Sequence, residues 1–195
     1  MCSSDLTQAL GVSYPMKALL LVALLFSPLA WADTSPKEFV TQILEPTGGK
    51  IQMPKDWFYS EHHQGPVYNW TLSKERAEGM VPYTTGVRIQ TFMNVQKGTG
   101  KSAKQFLLEF AAARSASGKV VKTCEARDQG MFTRMCVEVE EGIYHVLYSL
   151  FWLSSGGDVA VVSSAGTTKE LWAAYAPTFE KMASFELIDM KRFEK

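Results

Sequence analysis

Two adjacent histidines, His62 and His63, follow Glu61 and form a group of side chains able to bind a metal ion. Imidazole nitrogens and carboxylate oxygens are common ligands of divalent metals. Neighbouring residues of a strand point to opposite faces, so both histidines can bind one ion only in a loop. Residues 64–66, Gln-Gly-Pro, favour such a loop. The pattern predicts a weak metal site at His62 and His63, with a solvated surface pair as the alternative.

The glycine-rich segment 98–102, Gly-Thr-Gly-Lys-Ser, lies between a predicted strand and a predicted helix. In P-loop proteins, a similar segment binds phosphates through backbone N–H groups at a helix N-terminus. The full motif requires a glycine five positions before Gly100, where this chain has Val95. We therefore interpret the segment as a flexible turn with a helix cap, and we expect no cofactor.

No pattern of nucleophilic or acid–base catalysis is evident in the sequence. The chain has no G-x-S-x-G motif, and the third histidine, His145, lies within a predicted buried strand. Glu138 and Glu140 alternate along a strand as residues of a solvated face do. These observations favour a non-enzymatic protein. The alternative is a hydrolase-type enzyme whose catalytic groups lie on dispersed loops.

Residues 16–32 have the pattern of a cleavable secretory signal peptide. Lys17 provides a positive n-region, and residues 18–26 are apolar but too few to span a bilayer. Residues 30–32, Ala-Trp-Ala, form a small-x-small cleavage site, so we expect the exported protein to begin at Asp33. This predicts a periplasmic or secreted location.

Length and charge then limit the function classes. Residues 1–15 are interpreted as an upstream extension, and residues 33–195 have the length of a single domain. The chain has 20 basic and 20 acidic residues, hence a formal net charge of zero, which gives no attraction to nucleic acid or an anionic membrane. We expect an unidentified envelope or secreted protein as partner, without nucleic acid and without a stable membrane anchor.

The cysteines predict one disulfide. Cleavage would remove Cys2 and leave Cys124 and Cys136 in an oxidising compartment. Two reduced cysteines that pack as small apolar residues are the alternative.

The strand register supports the same disulfide. Placing the two cysteines opposite each other sets Val121 against Val139 and Lys122 against Glu138, an apolar pair and an opposite-charge pair. It also leaves residues 129–131 as a three-residue hairpin loop.

Hydrophobic periodicity predicts a mixed chain with mostly antiparallel pairing. A short amphipathic helix is predicted after Pro36, within residues 33–45, and two further helices are predicted over residues 103–117 and 167–182. The predicted strands cover residues 50–53, 57–59, 67–72, 85–95, 120–126, 132–140, 143–153, 159–162 and 184–188. The strand 143–153 is apolar on both faces, which predicts a central position. The fold class is therefore α+β, an α/β/α sandwich with helices on both faces of a central, mostly antiparallel sheet.

Helix caps and one long loop complete these predictions. Ser102 with Gln105, and Thr167 with Glu170, fit capping boxes, and Gly118 fits a left-handed helix end. The loop 73–83 is expected to contact a partner, because long ordered loops often carry function. Its proposed contact residues are Lys74, Glu75 and Arg76, beside the apolar Met80 and Val81.

Two segments resemble the PsbP-like superfamily. Residues 48–57, Gly-Gly-Lys-Ile-Gln-Met-Pro-Lys-Asp-Trp, are similar to its opening strand, and residues 175–185, Tyr-Ala-Pro-Thr-Phe-Glu-Lys-Met-Ala-Ser-Phe, are similar to its closing helix. The resemblance spans about residues 45–188. It implies an α/β/α sandwich that the better-known members use for protein binding and assembly.

Overall fold

The structure, a computed structural model, describes residues 35–192. These residues belong to one unit, Asp33–Lys195, and the predicted signal peptide and upstream extension lie outside them. The elements in chain order are β1 (Phe39–Leu44), β2 (Gly48–Pro54), β3 (Phe58–Gln64), β4 (Val67–Ser73), β5 (Gly86–Met93), α1 (Val95–Thr99), α2 (Ala103–Ser117), β6 (Lys119–Gln129), β7 (Phe132–Glu141), β8 (Tyr144–Leu153), β9 (Val159–Thr168), α3 (Trp172–Met182), β10 (Glu186–Ile188) and a 3-10 turn (Met190–Arg192).

Seven strands form the main sheet, in the order β3-β4-β5-β9-β8-β7-β6, and every neighbouring pair is antiparallel. Strand β8 lies between β9 and β7, which confirms its predicted interior position. An α+β fold dominated by antiparallel sheet is therefore correct.

A second, three-stranded sheet has the order β1-β2-β10, and we call it the small sheet. Its strand β1 corrects the short helix predicted after Pro36, because Phe39–Leu44 pairs with β2 from Phe39↔Pro54 to Leu44↔Gly49. The apolar spacing of this short segment suits a helix as well as a strand. Its β-branched residues Val40, Thr41 and Ile43 favour the strand once β2 offers a partner.

Alternate residues of β9 belong to two separate buried clusters. Val161 and Ala165 pack in the cluster that contains Tyr175, Phe179 and Met182 of α3, together with residues of the small sheet. Ala160 and Val162 pack in the cluster that contains Leu107 and Ala111 of α2. This alternation is the period of a strand that is covered on two sides.

The hairpin of β6 and β7 carries the predicted disulfide, which joins Cys124 to Cys136 at a Cα–Cα distance of 4.8 Å. Lys122 lies opposite Glu138, as predicted, but irregularities on both sides of the bridge shift the rest of the register. Val139 consequently pairs with Val120 rather than Val121.

The turn of this hairpin is also shorter than predicted. Gln129 pairs with Phe132, so the loop contains two residues instead of three. Gly130 takes the left-handed conformation, with φ 65°, that a tight turn requires.

Two of the predicted helix caps are wrong. Ser102 does cap α2 by accepting a hydrogen bond from Gln105 N at 3.2 Å, but Gly118 is extended. Thr167 lies in β9, where its hydroxyl bonds Thr85 Oγ1 at 2.7 Å, and α3 begins only at Trp172. The strand pairing of β9 with β8 continues to Thr168 and prevents an earlier helix start.

Candidate functional site

The structure places His62 and His63 within β3, opposite Asn69 and Tyr68 of β4. The expected loop is therefore wrong, and the two side chains point to opposite faces of the strand. His63 Nδ1 accepts a hydrogen bond from Asn69 N at 3.3 Å, and its Nε2 lies 3.0 Å from the Glu45 carbonyl oxygen, to which it donates. Both nitrogens of His63 are thus engaged by the protein itself.

The buried histidine His145 has an internal partner. Its Nε2 lies 2.6 Å from Glu138 Oε1, and its ring stacks on Trp172 at a centroid distance of 3.9 Å. His145 is 6% exposed, so this pair is a satisfied polar contact of the core. Among the described residues, no three His, Cys, Asp or Glu side chains group closely enough to hold a metal ion.

The loop between β4 and β5 is anchored to the domain. Thr85 N donates a hydrogen bond to Glu75 Oε2 at 3.1 Å, and Lys74 Nζ lies 5.6 Å from the centre of the Tyr175 ring. Arg76 forms an exposed ion pair with Glu78 at 3.1 Å. Of the three predicted contact residues, Arg76 is therefore the one presented to solvent.

One polar cavity lies between this loop, α2 and the main sheet, and we call it the Arg88–Arg114 cavity. Its volume is about 320 Å³. The guanidinium of Arg88 lies 5.1 Å from the centre of the Tyr83 ring, and that of Arg114 lies 5.4 Å from the centre of the Tyr148 ring. The remaining lining residues are Pro82, Thr84, Gln90, Phe110, Tyr144, Val146, Ser164 and Gly166.

Two tyrosines of this cavity, Tyr83 and Tyr148, keep their protons at neutral pH. Burial raises the pKa of Tyr148 to about 12, and the carboxylate of Glu141, which accepts its hydroxyl hydrogen at 3.1 Å, adds to the effect. Burial also raises the pKa of Tyr83 far above its usual value. Neither phenol is poised as a general base, so the cavity offers cations and hydrogen-bond donors.

A second cavity, of about 440 Å³, lies between the main sheet and the small sheet, and we call it the interlayer cavity. The main sheet contributes residues of β4, β5, β7, β8 and β9, and the small sheet contributes residues of β10 and of the turn before β2. None of the lining residues is charged: they are Thr47, Tyr68, Trp70, Thr91, Met93, Met131, Phe132, Leu153, Val159, Leu187, Ile188 and Met190.

Three methionines of this lining are exposed to solvent. Met93 is 37% exposed, Met131 is 50% exposed and Met190 is 51% exposed. Methionine is flexible and polarisable, so such side chains adapt to apolar partners of different shapes. An exposed group of them beside an apolar cavity is typical of a binding surface.

Thr91 is one of three residues of this lining that carry a hydroxyl group, together with Thr47 and Tyr68. It is 4% exposed, and its Oγ1 is the one fully buried side-chain N or O atom without a hydrogen-bond partner among residues 35–192. An unsatisfied buried hydroxyl costs about 1–3 kcal/mol, and nearly all such groups in native proteins have a partner. The sequence holds one signal of this position, since Thr91 interrupts the apolar face Val87, Ile89, Met93 of β5.

Comparison with known proteins leaves the function open. No protein-family model matches the chain, and no curated protein matches it. Among solved structures, a Pseudomonas aeruginosa protein, titled a protein of unknown function and putative regulator, is similar over 74% of this chain and 92% of that one. The identity is 10% and the TM-score is 0.36, values too low to support a conclusion about the fold or the function of this chain. In the part of the chain that the structure describes, no helix is long and apolar enough to cross a membrane.

Proposed function

We propose that this protein is a non-enzymatic exported binding or assembly protein, and that it binds an apolar group of its partner in the interlayer cavity. The cavity is the observation that carries the proposal. Its volume of about 440 Å³ lies within the range of known ligand sites, and its lining contains no charged residue. A site without charged groups suits binding better than acid–base chemistry.

The proposal includes the finer architecture. We infer that α2 and α3 cover opposite faces of the main sheet in an α/β/α sandwich of PsbP-like type. Alternate residues of β9 pack in the buried cluster that contains Leu107 of α2 and in the one that contains Phe179 of α3, which supports this arrangement. In the PsbP-like superfamily, this fold implies protein binding and assembly, which agrees with an unidentified envelope or secreted partner in the periplasm or outside the cell.

Binding of the fluorescent apolar dye N-phenyl-1-naphthylamine tests the proposal. We expect the dye to bind the wild-type protein, and we expect Met131→Glu and Met190→Glu to weaken binding, because each places a charge beside the cavity. The control is Met80→Glu, which alters a methionine that is 46% exposed but does not line the cavity.

The same variants test partner binding. Partners captured from the envelope of the native host should be lost with the Met131 and Met190 variants and retained with the Met80 variant. Loss with Met80→Glu alone would place the binding surface on the loop 73–83 instead. Equal dye binding by all four proteins would contradict the proposal.

A hydrolase-type enzyme is the second candidate, and the Arg88–Arg114 cavity is the observation that favours it. Guanidinium groups stabilise developing anions, and Ser164 supplies a hydroxyl in the same lining. A serine nucleophile needs a base beside it, and His145 points away, since its neighbours Tyr144 and Val146 line the cavity. Ester or phosphate hydrolysis that disappears in Arg88→Ala and Arg114→Ala would favour the enzyme, and we expect none.

A further inference from the structure

We propose that the Arg88–Arg114 cavity binds an aromatic carboxylate, and that Arg88 is the residue that pairs with the carboxylate group. The inference goes beyond the proposed function, because this cavity and the interlayer cavity share no lining residue. Four observations lead to it: the position of Arg88 on the main sheet, the free donors of its guanidinium, the charge around the cavity and the aromatic lining.

The floor of the cavity is a row of polar side chains across the main sheet. Ser164 of β9 lies opposite Arg88 of β5 and also opposite Tyr148 of β8, and all three residues line the cavity. Residues directly opposite each other in antiparallel strands share one face of the sheet. The next row on this face contains Leu150 and Val162, which are buried in the cluster with residues of α2. The row of Arg88 therefore begins where this apolar packing ends.

The guanidinium of Arg88 keeps hydrogen-bond donors for a ligand. Its Nε donates to Thr71 Oγ1 at 3.1 Å, and its Nη2 donates to the Val81 carbonyl oxygen at 2.9 Å. Both acceptors are uncharged, and no carboxylate within residues 35–192 forms an ion pair with Arg88. The two N–H groups of Nη1 remain without a protein acceptor in this part of the chain. Nη1 is also accessible, because Thr91 Oγ1 is the one fully buried side-chain atom there that lacks a partner.

The charge around the cavity favours a ligand with one negative charge. Arg114 is the second cation of the lining, but Glu141 Oε2 lies 3.8 Å from its Nη1 and offsets its charge. Glu75 of the neighbouring loop accepts a hydrogen bond from Thr85 N and does not line the cavity. The positive charge of Arg88 is then available to the ligand. A carboxylate matches this single charge and forms paired hydrogen bonds with a guanidinium.

The walls of the cavity favour an aromatic body for the ligand. Its aromatic lining residues are Tyr83, Phe110, Tyr144 and Tyr148. Aromatic rings pack favourably against one another in offset-stacked or edge-to-face arrangements. A cavity of roughly 150 Å³ holds one benzene molecule. At about 320 Å³, this cavity has room for about two fused rings.

Isothermal titration calorimetry with 2-naphthoate and 2-naphthamide tests the inference. The two compounds have the same size, but only the first is charged at neutral pH, so the ratio of their dissociation constants measures recognition of the carboxylate. We expect the wild-type protein to prefer 2-naphthoate. We expect Arg88→Gln to reduce this preference by about 10- to 100-fold, the effect of one charged hydrogen-bonded pair. Arg76→Gln is the matched control, because Arg76 is exposed and does not line the cavity.

Two further measurements keep the result independent of any folding defect in Arg88→Gln. High salt should weaken the binding of 2-naphthoate to the wild-type protein and leave that of 2-naphthamide unchanged, because salt screens the charge of a partly exposed guanidinium. Met131→Glu changes the interlayer cavity and should bind 2-naphthoate as the wild type does. Loss of 2-naphthoate binding in Met131→Glu would place the ligand in the wrong cavity and overturn the inference.

An aromatic carboxylate can be a free acid or the end of a peptide chain whose last residue is aromatic. N-acetylphenylalanine represents the second source, and tighter binding of this compound or of 2-naphthoate identifies the source while either result supports the site. Equal binding of 2-naphthoate and 2-naphthamide by the wild-type protein, or an unchanged preference in Arg88→Gln, would overturn the inference. The proposed function would stand in both cases, because it depends on dye binding in the interlayer cavity.

Discussion

Replacement of Thr91 by valine should stabilise the ligand-free protein. The Thr91 hydroxyl is buried without a partner, and its residue is 4% exposed. Leaving such a group unsatisfied costs about 1–3 kcal/mol, whereas an apolar group of the same shape avoids that cost. Valine is β-branched and favours the strand as threonine does. We therefore expect the free energy of unfolding to rise by about 1 kcal/mol, the lower part of that range.

Urea unfolding of the ligand-free protein measures this change, and the chain provides a matched control. Thr85 and Thr167 are also buried threonines, but their hydroxyls bond each other at 2.7 Å. Thr167→Val removes that bond and leaves the Thr85 hydroxyl unpaired, so it should lower the free energy of unfolding by about 1–3 kcal/mol. Equal destabilisation by Thr91→Val and Thr167→Val would refute the assignment of Thr91 as an unsatisfied group.

Three further predictions follow from the disulfide, the buried tyrosine and the leader. Free-thiol titration of the denatured, unreduced exported protein should find none, and changing both Cys124 and Cys136 to serine should lower the free energy of unfolding by at most about 3 kcal/mol; two reactive thiols per chain would disprove the bridge. Because folding raises the pKa of Tyr148 from 10.0 to about 12, its contribution to stability is present below pH 10 and declines between those values. Tyr148→Phe should therefore lose less stability than the wild type over that interval in urea unfolding, and parallel losses would contradict this origin. The intact mass of protein from the periplasmic or extracellular fraction should correspond to a chain that starts at Asp33, and a product that retains Met16 would contradict export by cleavage.

Local pattern was sufficient to predict much of the main sheet. The two apolar faces of β8 indicated its interior position, and the pairing of Lys122 with Glu138 followed from placing the cysteines opposite each other. Each of these features depends on residues close in sequence or on the two-residue period of a strand. The helix α2 was equally predictable from the sequence, because the cap residue Ser102 marks where it begins.

The errors arise where long-range contacts override the local pattern. The segment Phe39–Leu44 is a strand because β2 pairs with it, and the β6 register shifts because of irregularities that the sequence does not mark. The strand predicted over residues 85–95 extends two residues too far, because β5 ends at Met93. Asn94 takes a left-handed conformation, with φ 55°, and the chain then leaves the strand direction. Val95 packs in the buried cluster that contains Leu107 of α2.

The interlayer cavity was not predictable from the sequence. It forms where the small sheet meets the main sheet, and its lining comes from segments as distant as Thr47 and Met190. The sequence pattern shows which residues are apolar. The space that remains between two packed sheets depends on how both are placed, which no single segment determines.

A crystal structure of the protein grown with 10-bromodecan-1-ol tests the central claim most directly, because anomalous scattering locates the bromine and the density locates the chain. The account predicts a hydrocarbon chain between the main sheet and the small sheet, in contact with the residues that line the interlayer cavity. An unoccupied interlayer cavity at saturating ligand would contradict it.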